Sequence, residues 1–148
     1  MVMCSLVGGG PRWASGGELV LMRPETFLRQ PSSWLRACSE FHSTITASPN
    51  FGLELVARRG NAPNMDLRRL RVCLTGGEIV HPETLQAFES CFGDSNLNPL
   101  VLCPAYGLAE AAVAVSVVAP EEHWSADAVD QESATTRDRS VRRLERSS

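Results

Sequence analysis

The sequence predicts an α/β domain with a largely parallel sheet. Short aliphatic and β-branched runs alternate with amphipathic stretches of about ten residues, the pattern of strand–helix–strand units. Glycine or proline punctuates nearly every junction between them. The 148 residues are 43% apolar and 21% charged, which suits one globular domain with a real core.

Residues 1–17 read as a glycine-rich irregular segment, with turns marked by Gly8-Gly9-Gly10-Pro11 and Gly16-Gly17. Glu18–Met22 is the first expected strand. A helix then opens at Pro31-Ser32-Ser33, because Trp34, Leu35, Cys38 and Phe41 fall on one face at helical spacing. Thr44–Ala47 is β-branched and strand-like. Pro49-Asn50 starts a second helix with Phe51, Leu55 and Val56 expected inward, and Arg58-Arg59 at its end, where cations suit the dipole. After a loop at 60–66, Leu70–Leu74 is a strand that stops at Gly76-Gly77. His81-Pro82-Glu83 begins a third helix, with Leu85, Phe88 and Phe92 as its buried stripe and Gly93 as its end. Pro99–Cys103 is a fourth strand, and Ala111–Val118 carries a fifth. Residues 121–148 are polar and charged, with almost no large apolar side chain after Trp124. Such a segment buries too little surface to offset its ordering entropy, so a disordered tail is expected beyond a domain at 1–120.

Composition excludes several functions. The net charge of -3 provides no general attraction to nucleic acid or to anionic membrane. All 14 basic residues are arginine, which rules out a lysine Schiff base or a P-loop lysine within these residues. The five cysteines form no C-x-x-C pair, and His42, His81 and His123 have no metal spacing, so neither a zinc knuckle nor a disulfide framework is implied. The residues show no secretory leader and no apolar run long enough to span a bilayer; the expected compartment is the cytoplasm.

In open α/β sheets ligands gather beyond the carboxyl ends of the strands. Two such ends are unusual here: Leu74-Thr75-Gly76-Gly77-Glu78, and Cys103-Pro104-Ala105-Tyr106-Gly107-Leu108-Ala109-Glu110. Paired glycines admit a flat ring close to the backbone, and an aromatic can stack on it. A carboxylate four residues after the tyrosine has the chemistry to bind a divalent cation. Each feature alone is common; the order and separation are what is specific.

Gly-Gly-Glu followed about thirty residues later by Tyr-Gly-Leu-Ala-Glu, each on a strand end, resembles the AMP-forming acyl ligase superfamily. Phe27-Leu28-Arg29-Gln30-Pro31, Ser48-Pro49-Asn50-Phe51 and Pro82-Glu83-Thr84-Leu85 narrow the likeness to fatty-acyl-AMP ligases and acyl-CoA synthetases, over roughly residues 6–120. The resemblance implies a partial adenylating domain. Members activate a fatty acid with ATP and Mg²⁺ to an acyl adenylate, then pass the acyl group to CoA or a carrier-protein thiol. By resemblance, Gly76, Gly77, Glu78, Tyr106 and Gly107 line the adenine site, Pro49, Asn50 and Phe51 flank the acyl tunnel, and Glu110 is the catalytic, Mg²⁺-side glutamate. The family's lysine-bearing phosphate loop would precede residue 1, and its ribose motif and C-terminal domain would follow residue 120. The chain alone is therefore expected to be catalytically silent. The alternative is a non-catalytic module that keeps an acyl or nucleotide pocket.

Overall fold

The computed structural model describes residues 3–8, 17–59, 64–111 and 114–127. Among them six strands form one sheet: β1 (Met3–Gly8), β2 (Gly17–Met22), β3 (Ile45–Ala47), β4 (Val72–Thr75), β5 (Leu102–Tyr106) and β6 (Ser116–Val117). Their order across the sheet is β2-β1-β3-β4-β5-β6. The central strands β3, β4 and β5 run parallel, while β1 pairs antiparallel with both β2 and β3, and β6 pairs antiparallel with β5. Four helices accompany the strands: α1 (Pro24–Arg29), α2 (Ser32–Glu40), α3 (Asn50–Arg59) and α4 (Pro82–Phe92).

The α/β class is as the alternation predicts, with five corrections. Met3–Gly8, expected to be irregular, is a strand: its pairing with β2 supplies backbone hydrogen bonds whatever its side-chain pattern. Pro24–Arg29 is an unanticipated short helix, with Pro24 at its start and Glu25 in its first turn. Phe41 is exposed beyond the end of α2, where His42 takes a left-handed conformation (φ 52°). The Ser43 amide then bonds the Cys38 carbonyl and the His42 amide the Ser39 carbonyl, a Schellman closure without glycine. On α3 the inward positions are Asn50, Gly52, Leu53 and Val56, so Phe51 points outward, about one helical step off that face. Finally, β5 begins three residues later than expected, which makes Tyr106 the last residue of the strand, and β6 keeps only Ser116–Val117 of the expected run.

One apolar core joins the helices to the sheet. Phe27, Trp34, Leu35, Leu53, Val56 and Phe88 are all at most 2% exposed. Phe27, Trp34, Phe88 and Phe92 form a chain of ring contacts with centroids 5.0–6.4 Å apart, and the Trp34 indole N–H donates to Thr46 Oγ1 at 2.9 Å. Among the described residues the opposite sheet face is more open: along β4, Cys73 and Thr75 are buried whereas Leu74 is exposed, and Ile45 and Val117 are also exposed, although Cys103, beside Leu74 on β5, is buried. Trp124 is buried, and its indole N–H donates to Glu89 Oε1 of α4 at 2.8 Å, so the chain packs on α4 beyond Pro120. The tail expected at 121–148 lies mostly outside the described residues.

Candidate functional site

Strands β3, β4 and β5 run parallel and side by side, so their carboxyl ends deliver three loops to the same edge of the sheet. A cavity of about 560 Å³ opens there, bordered by Ser48 and Pro49 after β3, Gly76 and Gly77 after β4, and Tyr106 and Gly107 at the end of β5. A second cavity of about 430 Å³ lies beside it, lined by Glu78, Ile79, Val80, Tyr106 and Val118. Tyr106 is exposed and borders both. Its ring is available to a ligand rather than committed to the core.

The two glycines serve different needs. A Cβ on Gly76 would sit 2.3 Å from the Ala105 carbonyl oxygen, so only glycine lets β4 leave the sheet this close to β5. Gly77 has open space around it but takes a positive φ of 77°, which turns the chain toward α4. Together they give the cavity a wall without side chains.

Of the residues expected at the site, Pro49, Gly76, Gly77, Tyr106 and Gly107 meet at the larger cavity. Glu78 faces the smaller one, with a carboxylate oxygen accepting the Phe51 amide at 2.9 Å. Asn50 and Phe51 line neither: Asn50 is buried, with Oδ1 accepting the His81 amide at 2.9 Å, and the Phe51 side chain is exposed. Glu110 lies on an exposed 3₁₀ turn (Ala109–Ala111) outside both cavities. Ala47, Ser48 and Ala105, to which sequence reasoning gave no site role, also line the larger cavity. Ser48 and Ala105 stand within the motif segments, and Ala47 is a small residue beside one.

Cys103, beside the motif, is buried, and that burial pushes its thiol above the ordinary pKa. Burial, then the neighbouring Cys38 and Cys103, push Cys73 up further. Among the described residues no group of three or more His, Cys, Asp or Glu could hold a metal ion by itself, and no helix is long and apolar enough to cross a membrane.

A parallel-centred α/β sheet with a glycine-walled cavity and an open tyrosine at its carboxyl edge has the layout in which open α/β sheets hold ligands, and residues 6–137 match the family of AMP-binding enzymes. The chain belongs to that family. It is 39% identical over 104 residues to a 4-hydroxyphenylalkanoate adenylyltransferase of Mycobacterium tuberculosis (strain ATCC 25618 / H37Rv), a match covering 68% of this chain and 17% of the relative. It is 40% identical over 104 residues to the long-chain-fatty-acid–AMP ligase FadD23 of Mycobacterium tuberculosis (strain CDC 1551 / Oshkosh), covering 68% of this chain and 18% of that protein. The fold matches a crystal structure of a fatty acyl-adenylate ligase from L. pneumophila in complex with acyl adenylate and pyrophosphate, with a TM-score of 0.76 at 28% identity, over 84% of this chain and 22% of that one. The chain thus spans less than a fifth of the length of these curated relatives.

Proposed function

We propose that this chain is the adenine- and acyl-side part of a fatty-acid-activating ligase, the enzyme class that joins a carboxylic acid to AMP at the expense of ATP. The observation that carries the reading is the convergence of Gly76-Gly77 and Tyr106-Gly107 on one cavity at the carboxyl ends of adjacent parallel strands. In this reading the adenine ring stacks on Tyr106 against the glycine wall. The acyl group leaves past Pro49, where small and apolar residues border the cavity. Glu78 acts at the adenine edge, and Asn50 and Phe51 shape the acyl side from behind.

Attack of a carboxylate on the α-phosphate builds negative charge that must be neutralised. Mg²⁺ would supply part of that neutralisation. Glu110, an exposed carboxylate, fits an ion that keeps several waters and shares its shell with substrate phosphates. These residues contain no lysine, and the arginines nearest the motif in sequence, Arg71 and Arg69, precede β4 at the opposite edge of the sheet. The chain by itself therefore binds without turning over. In a complete ligase the acyl acceptor is CoA or a carrier-domain thiol.

Titration with AMP and with a non-hydrolysable long-chain acyl sulfamoyl adenosine tests the reading. The acyl compound should bind more tightly than AMP. Tyr106→Ala should weaken both by about 5- to 150-fold, the equivalent of about 1–3 kcal/mol of base–aromatic stacking. Unchanged affinity in Tyr106→Ala would overturn the assignment, and fatty-acid-dependent pyrophosphate release at the rate of a full ligase would overturn the silence of the isolated chain.

A further inference from the structure

Helices α3 and α4 are capped in an unusual way. Neither uses a side chain at its own N-terminus: Pro49, before α3, has no polar side chain, and the His81 side chain makes no capping bond to α4. Instead the caps cross. Glu78, in the loop leading to α4, accepts the Phe51 amide in the first turn of α3 at 2.9 Å. Asn50, the first residue of α3, accepts the amide of His81, the residue before α4, also at 2.9 Å. Asn50 is 5% exposed, so its amide group is committed to this contact, whereas Glu78 reaches in from the surface.

The crossed pair lies just behind the cavity. Pro49, the neighbour of Asn50, and Gly77, the neighbour of Glu78, both line the larger cavity, and Glu78 itself borders the smaller one. Each bond ties one strand exit to the other. Movement of the glycine wall would pull Glu78 off the Phe51 amide, and movement of Pro49 would pull Asn50 off the His81 amide. A carboxylate also suits the positive end of α3, so charge and geometry favour the same closed arrangement.

We propose that Asn50 and Glu78 are a reciprocal pair of positioning residues that makes the adenine-side loop 76–81 and the acyl-side loop 48–51 one mechanical unit, so that nucleotide and acyl group are read together. The role in ligand reading rests on the function proposed above; the mechanical coupling does not. Glu78 then works through the Phe51 backbone as well as at the nucleotide edge.

Two measurements on the full chain separate these layers. Amide hydrogen exchange at Phe51 and His81 reports the coupling directly. Glu78→Ala should accelerate exchange at both amides, and so should Asn50→Ala, with the double variant little worse than either single one. If each substitution releases only its own partner amide, the coupling is overturned, whatever binds. Affinity for AMP and for the long-chain acyl sulfamoyl adenosine reports the consequence. Glu78→Ala should weaken the acyl compound about tenfold, the order of one charge-assisted hydrogen bond, and AMP distinctly less. Glu78→Gln, which keeps an oxygen acceptor, should restore most of that loss. Equal weakening of both ligands, or no rescue by glutamine, overturns the joint reading. Should the parent chain bind neither ligand, the proposed function fails while cross-acceleration of exchange still upholds the coupling.

Discussion

Gly76 and Gly77 are neighbours in sequence, yet their replacement by alanine should differ in both magnitude and kind. At Gly76 the new Cβ would lie 2.3 Å from the Ala105 carbonyl oxygen, against the 3.0 Å below which real Cβ contacts essentially never fall. The strands would have to separate locally by about 0.7 Å, the difference between those distances. The obstacle is backbone in a hydrogen-bonded strand about 4.8 Å away, not the tip of a flexible side chain. Overpacking of this kind costs about 1–3 kcal/mol, and a rigid neighbour puts Gly76→Ala toward the upper end. At Gly77 nothing lies within 4 Å, and only the left-handed φ of 77° opposes a side chain, at about 1–2 kcal/mol. Urea denaturation with matched slopes should thus rank Gly76→Ala about 1 kcal/mol below Gly77→Ala. AMP binding should fall with both, and further with the first, because Gly76→Ala shifts the cavity wall with β4 whereas Gly77→Ala only adds a methyl group to that wall. A Gly76→Ala protein within about 0.5 kcal/mol of the parent, or less affected than Gly77→Ala, would refute the close-approach argument.

Phe88 is fully buried between the rings of Trp34 and Phe92, so Phe88→Ala should cost about 3–5 kcal/mol in the same urea experiment. Trp124→Phe removes the indole donor to Glu89 while keeping most of the apolar contact, and should cost about 1 kcal/mol, detectable as a shifted midpoint with an unchanged slope. Of the cysteines at 38, 73, 91 and 103, native-state alkylation read by mass spectrometry should modify Cys91, which is exposed, and spare the buried three. The raised pKa of Cys73 means that the folded chain holds its proton where the unfolded chain has lost it. The stability from this group is complete below the ordinary thiol value of 9.0 and declines as pH rises past it, which thermal melts from pH 7 to 10 will record.

Periodicity sufficed where a side chain's place is decided by burial alone. Leu85, Phe88 and Phe92 form the inner stripe of α4, as their spacing predicts. It failed on α3 because a polar contact outranks hydropathy there. Asn50 turns inward to hold the His81 amide, and Phe51 is left outside although it is the more apolar residue. β1 was illegible because the glycines that follow it read as irregular chain, and because one of its two partners is distant in sequence: the antiparallel register of Leu6 with Ile45 is a tertiary fact. At the site, the glycines and Tyr106 announced themselves through residue type. The crossed use of Asn50 and Glu78 could not, since each satisfies an amide about thirty positions away.

The parallel centre of the sheet also constrains how this site comes into being. The β1–β2 hairpin closes over a short stretch of chain, but β3, β4 and β5 can join only after whole helical crossovers have collapsed between them. Such non-local pairings form slowly, because loop-closure entropy is spent before the contacts repay it. The cavity takes one wall from each of those three strands, so no partly folded form possesses it. Ligand capture therefore reports completion of the parallel pairings. A nucleotide present during refolding should leave the early steps untouched and stabilise only the finished sheet, slowing unfolding rather than hastening folding.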